Sequence, residues 1–266
     1  MSIFKPAKEV MAKKPSKPQR IVYWGESKVG KTRALLSFPK PIFLIDLEGG
    51  WYEHVSRDPE LAENVMVCSP IVTKTEYILD DNNKRVPITV IDYEKTVENM
   101  VKIMGYLPEI TKDHKEFTIG IDSITEMIDI IKIWNERRDD VRKDKSGKVL
   151  RTEYQYVKRT IKEILWSPIM ENIRNTHATI HIVMIARQKD KVDSKGQTIG
   201  TTPDWHGVIE YMVDTMVHLM FRYDGNGNIT GKLAQIVSRI PELHGKVIPL
   251  DVSETVTYEK LLELTR

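Results

Sequence analysis

The stretch Gly25-Glu26-Ser27-Lys28-Val29-Gly30-Lys31-Thr32 has the spacing G-x-x-x-x-G-K-[ST], the pattern of a loop that wraps phosphate groups. Its glycines let the backbone curl until successive N–H groups point inward, and the helix that follows adds partial positive charge from its N-terminus. Lys31 is placed to reach the β- and γ-phosphates of a nucleoside triphosphate, and the Thr32 hydroxyl to enter the shell of a Mg2+ ion. The candidate phosphate-binding set is Gly25, Glu26, Ser27, Lys28, Val29, Gly30, Lys31, Thr32 and Arg33. Glu26 stands where one variant of this loop carries an extra lysine, which disfavours that variant.

Two carboxylates downstream decide what such a loop can do. Asp122 ends the apolar run Phe117-Thr118-Ile119-Gly120-Ile121 and can complete the Mg2+ side opposite Thr32, or cap the next helix together with Ser123. Glu48 follows Phe43-Leu44-Ile45-Asp46-Leu47, at the carboxyl end of a second strand, where ligands collect in open parallel sheets. A carboxylate there can orient a water and take its proton.

These groups need a scaffold of parallel strands. Ile21–Trp24 reads as a buried strand entering the loop, Pro41–Asp46 as a second, Val65–Cys68 as a third, Phe117–Asp122 as another, and His181–Ala186 as one more. Between them, residues 76–79 and 85–88 flank Asp80-Asp81-Asn82-Asn83 as a hairpin insertion over about 70–92. Helical spacing runs from Tyr93 to Leu107 through Val97, Val101 and Met104, from Ser123 to Trp134, and over 153–176. The strand at 181–186 opens into a polar mobile loop, and Thr215–Val237 turns through Asp224–Asn228 as a C-terminal antiparallel hairpin before a last short helix. The expected fold is α/β, with a mostly parallel central sheet flanked by helices.

A chain of 266 residues with 41% hydrophobic residues can bury a sizeable core, and one domain over 20–266 is expected after a flexible basic arm, 1–19. The lone Cys68 cannot form an internal disulfide, and no stretch has the length and apolarity of a membrane span, so a cytoplasmic, non-membrane protein is expected. The formal charge of +2 conceals its distribution. Residues 1–20 hold six basic side chains against Glu9 alone, and 137–159 hold nine against four acidic ones, leaving an acidic body. That asymmetry suits a polyanion touched by two basic segments, although each segment alone also reads as a solvated loop.

The phosphate loop, the F-P-K-P-x-F-x-x-D-x-E-G-G stretch at 38–50, the strand ending Ile121-Asp122-Ser123 and the later strand leading to Gln188 together resemble the RecA-like ATPase core. They are most similar to the compact phage-borne single-strand annealing and recombination ATPases of the Sak type, over about residues 20–250. The resemblance implies ATP and Mg2+ as cofactors, Lys31 and Thr32 as phosphate and Mg2+ ligands, Asp122 as the second metal-side group, and Glu48 as catalytic base. It makes Gln188 a sensor of the γ-phosphate, with a solvated loop residue as the alternative. Arg239 becomes a cation acting on a neighbour's nucleotide, although the first basic position of the usual element is missing.

It further implies single-stranded DNA as partner. Arg137, Arg138, Arg142, Lys143, Lys145, Lys148 and Arg151 would bind it in a basic loop at about 137–152, and Lys189, Lys191 and Lys195 in a second loop at about 189–207. Trp205 would stack on a base or cover the core edge. Phe4 and Ala7, in Phe4-Lys5-Pro6-Ala7, match a short docking element of related recombinases, so a homo-oligomeric ring or filament is expected, with a single-strand DNA-binding protein as a further partner and a host cytoplasm if phage-encoded. Two readings stay open beside recombination or annealing: a nucleotide or small-molecule kinase with the basic segment as lid, and an ATP-gated assembly switch without significant turnover.

Overall fold

The computed structural model describes residues 18–138, 154–193, 196–205, 207 and 209–265. Its strands are β1 (Arg20–Gly25), β2 (Ile42–Asp46), β3 (Val65–Cys68), β4 (Thr73–Leu79), β5 (Arg85–Ile91), β6 (Glu116–Asp122), β7 (Thr179–Val192), β8 (Thr198–Pro203), β9 (Thr215–Tyr223), β10 (Ile229–Ser238) and β11 (Val247–Leu250). Its helices are α1 (Lys31–Leu35), α2 (Tyr52–Val55), α3 (Pro59–Asn64), α4 (Tyr93–Gly105), α5 (Leu107–Asp113), α6 (Ile124–Arg137), α7 (Tyr154–Ile161), α8 (Ser167–Asn175) and α9 (Tyr258–Leu264), with a π-helical turn Lys162–Trp166 joining α7 to α8.

The main sheet has the order β11-β10-β9-β1-β7-β6-β2-β3. From β9 to β3 every pairing is parallel, while β10 and β11 add antiparallel strands at one edge. Helix crossovers cover both faces of such a sheet, which is why its central strands are apolar at successive positions rather than alternating with polar ones. In β7, Ile182 and Met184 enter the core with α4, α6 and the 154–175 helices, whereas Val183 and Ile185 join the opposite core with α1 and α9. Gly120 makes the second packing possible. A Cβ there would lie 2.9 Å from Leu35 Cδ2 and 3.1 Å from Leu44 Cδ1, so the bare position lets α1 approach the sheet.

This is the α/β architecture expected, with the C-terminal hairpin as β9–β10. Two local readings change. The helix at 93–105 buries Thr96, Val97, Met100 and Met104 and turns Val101 outward. Residues 189–192, expected in a mobile loop, continue β7 and with Gln188 pair antiparallel with β8, as an extension whose polar residues are largely solvated and need no core. Of the two readings of Trp205, the core one holds: it is buried in the cluster that contains Ile209, Met212 and Val213. Among the described residues no helix is long and apolar enough to cross a membrane.

Candidate nucleotide site

β1 ends at Gly25, whose φ of 141° belongs to the region only glycine adopts readily; a Cβ there would lie 2.0 Å from the Leu219 carbonyl oxygen. The loop then turns through Lys28 at φ 63° and Gly30 at φ 106° into α1. Lys31 Nζ folds back to donate to the carbonyls of Gly25 at 2.9 Å and Glu26 at 2.6 Å. Burial pushes its ammonium below the usual lysine range, against the opposing pull of Asp122 and Glu48.

The loop lines a cavity of about 470 Å³ with Ser27, Lys28, Gly30, Lys31, Thr32 and Arg33, and opposite them stand Glu48, Asp122, Lys232, Val252 and Ser253. Val29 sends its side chain into the core instead, and the Glu26 carboxylate faces away, accepting from Tyr223 Oη at 3.0 Å and the Phe221 N–H at 3.4 Å. Those two residues, and Gly25, therefore shape the loop with backbone groups.

The two acids come together at the ends of adjacent strands, since β2 and β6 pair in register at Asp46 and Asp122. Thr32 Oγ1 donates to Asp122 Oδ2 at 2.9 Å. Asp122 is almost fully buried, and burial holds its acid up at about 6 despite the Thr32 bond that favours the anion. The helix cap falls to Ser123, whose Oγ accepts from the Glu126 N–H at 3.2 Å, leaving the Asp122 carboxylate for the cavity. An oxygen pair of hydroxyl and carboxylate suits Mg2+, a hard cation commonly held by one or two carboxylates plus phosphate oxygens. The residues present fit that ion.

Glu48 reaches the same cavity by a turn that Asp46 organises: its carboxylate accepts from the N–H groups of Glu48 at 3.2 Å and Gly49 at 2.7 Å and from Trp51 Nε1 at 3.0 Å. A Cβ on Gly50 would sit 3.5 Å from Thr32 Oγ1, so the turn lies directly against the metal side. Ser123 Oγ donates to Glu48 Oε1, and Arg187 Nε meets the same oxygen at 3.0 Å. Arg187 Nη2 also reaches Glu126 Oε2 at 3.0 Å.

Gln188, the expected sensor, does not line this cavity. Its Oε1 lies 3.5 Å from Nε2 of His218, and the His218 ring stacks on Trp24 with centroids 3.5 Å apart. Strand alternation explains the difference, because neighbouring residues of β7 face opposite sides and only Arg187 faces Glu48. Arg187 was missed because its partners lie far away in sequence.

Arg239 follows β10 at the edge where β1 begins, its N–H bonded to the Asp214 carbonyl at 2.8 Å. It borders a separate cavity with Pro18, Arg20 and Asp214, about 20 Å from its own phosphate loop by the length of a six-residue β1. Arg137 stacks over Tyr93 at 4.5 Å and Arg138 over Trp134 at 5.3 Å, beside a cavity they share with Lys74 at the C-terminal end of α6. Lys189 pairs with Asp204 at 2.7 Å and Lys191 is exposed on β7. Arg142, Lys143, Lys145, Lys148, Arg151, Lys195, Phe4 and Ala7 lie outside the described residues.

Loop, paired carboxylates and sheet order define a P-loop nucleoside triphosphatase. A family model described as an AAA domain matches residues 17–246, and the chain belongs to that family. No curated protein matches. Among solved structures the chain is similar to a prototypical ATPase from the type III secretion system of pathogenic bacteria, at 12% identity over 93% of this chain and 62% of that one, with a TM-score of 0.45. It is also similar to the ATPase EscN, solved with its central stalk EscO from enteropathogenic E. coli, at 11% identity over 77% of this chain and 42% of that one, with a TM-score of 0.43. The chain spans less than two thirds of the length of either.

Proposed function

We propose that this AAA-domain protein is a Mg2+-dependent, homo-oligomeric ATPase that binds single-stranded DNA and acts in recombination or strand annealing, in the manner of the Sak-type proteins. Lys31 exchanges its two carbonyl partners for the β- and γ-phosphate oxygens, and the loop N–H groups fix the rest of the triphosphate. Thr32 and Asp122 would hold Mg2+, which when bound offsets phosphate charge. Glu48 orients the attacking water and accepts its proton, and the turn fastened by Asp46 keeps it in place.

The observation that carries the DNA-coupled reading is the position of Arg187. Its side chain holds Glu48, its N–H donates to Thr125 Oγ1 at 3.0 Å, and its carbonyl accepts from Asp204 at 2.8 Å. Asp204 in turn pairs with Lys189 on the β7–β8 hairpin. One residue thus joins the catalytic carboxylate to the root of a lysine-bearing hairpin suited to phosphate backbones. ATP turnover measured with and without a single-stranded oligonucleotide tests the reading. Stimulation of about tenfold or more, lost at high salt, is expected. Equal rates with and without DNA, or phosphate transfer to a small acceptor, would overturn it.

A further inference from the structure

Lys232 is a buried cation in search of an anion. It lies in β10 on the same face as the core residues Ala234 and Ile236, and only 5% of its surface is exposed. Its Nζ donates to the Glu254 carbonyl at 3.0 Å and faces the ring of Phe221 at 6.0 Å. No carboxylate among the described residues lies within ion-pair distance of it, and the nearby charge is that of Arg33, another cation. Burying a cation against a carbonyl, a ring and a like charge is unfavourable unless an anion completes the set.

The geometry supplies the place for one. Lys232 lines the same cavity as the phosphate loop, and its Nζ lies 3.5 Å from a Cβ built on Gly30. The segment after β11 closes over it: Thr255 Oγ1 donates to the Gly30 carbonyl at 3.1 Å, Arg33 donates to the Ser253 carbonyl, and Tyr23 Oη donates to the Val256 carbonyl at 2.9 Å. All of these groups line one cavity, with Thr32 tied to Asp122 and Lys232 and Arg33 tied to the carbonyls of Glu254 and Ser253.

We propose that Lys232 binds the phosphate nearest the nucleoside, in the same subunit as the loop, and that residues 251–256 and Arg33 hold it there. This rests on the reading of the cavity as a nucleoside triphosphate site. It makes Lys232 a second phosphate-binding cation, serving mono-, di- and triphosphates alike, where Lys31 serves the outer phosphates.

The test measures binding and apo stability of K232M, K232R and K31A, with fluorescent ADP as probe. The expected result is about a tenfold rise in Kd for K232M, the size of a lost charge-assisted bond, with K232R within about threefold. The ligand-free Tm of K232M should equal or exceed that of the wild type, because an apolar side chain of similar length removes an uncompensated buried charge. Unchanged ADP affinity in K232M while K31A loses it overturns the proposal and leaves the nucleotide reading standing. A ligand-free Tm well below wild type also overturns it, since Lys232 would then be only a fastener of residues 251–256. A wild-type protein that binds no adenine nucleotide takes down both.

Discussion

At the scale of single residues, Glu48 and Arg187 have opposite requirements. A general base needs a free lone pair aimed at water, yet Glu48 Oε1 already receives Ser123 Oγ and Arg187 Nε. Any movement of the hairpin root that withdraws Arg187 frees that oxygen while Ser123 still orients the group. Glu48→Gln removes the proposed base and keeps the shape, so kcat should fall about 10²- to 10³-fold with KM little changed. Arg187→Gln should leave ATP affinity within about threefold but abolish the difference between rates with and without DNA. A variant that keeps full DNA stimulation would show that the Arg187–Glu48 pair is a bystander.

At the scale of elements, three strands meet in the stack of Trp24 from β1, Gln188 from β7 and His218 from β9, with Glu26 the facing charge. Burial holds His218 down to about 4, from an ordinary 6.5. Between those values the unfolded chain binds a proton that the folded chain refuses, so the stability contributed here is full above the upper value and is lost as pH falls through the window. Thermal melts from pH 7 to 4.5 should therefore slope more steeply for the wild type than for His218→Gln; parallel curves would refute a neutral His218. The same elements show what sequence can carry. β1, β2 and β6 were legible because both their faces are buried and read as apolar runs, and Glu48 and Asp122 because each sits at a fixed step beyond such a run. β8 and the outer half of β7 were not, since a solvated two-stranded ribbon needs no apolar alternation. Arg187 was hidden for a different reason: its clamp joins groups 139 and 61 positions away, and only the closed sheet brings them together. Lys232 did leave a trace, as a lysine in step with Ala234 and Ile236 on the buried face of β10.

At the scale of the whole molecule, phosphate loop and Arg239 lie at opposite ends of the strands. With Arg239 about 20 Å from its own phosphate loop, the trans-acting role we propose for it requires subunits arranged head to tail, each offering its Arg239 edge to the next cavity. The consequence can be measured without knowing whether the assembly is a ring or a filament. Glu48→Gln and Arg239→Ala should each be nearly inactive alone. Mixed in equal amounts and allowed to exchange subunits, they should recover about a quarter of wild-type turnover, because one junction in four pairs an intact Glu48 with an intact Arg239 from the adjoining subunit. Recovery should also rise with total protein concentration, as assembly does. Full activity of Arg239→Ala alone would remove the arginine from the mechanism, and a mixture no better than its parts would mean that each site is completed within one chain.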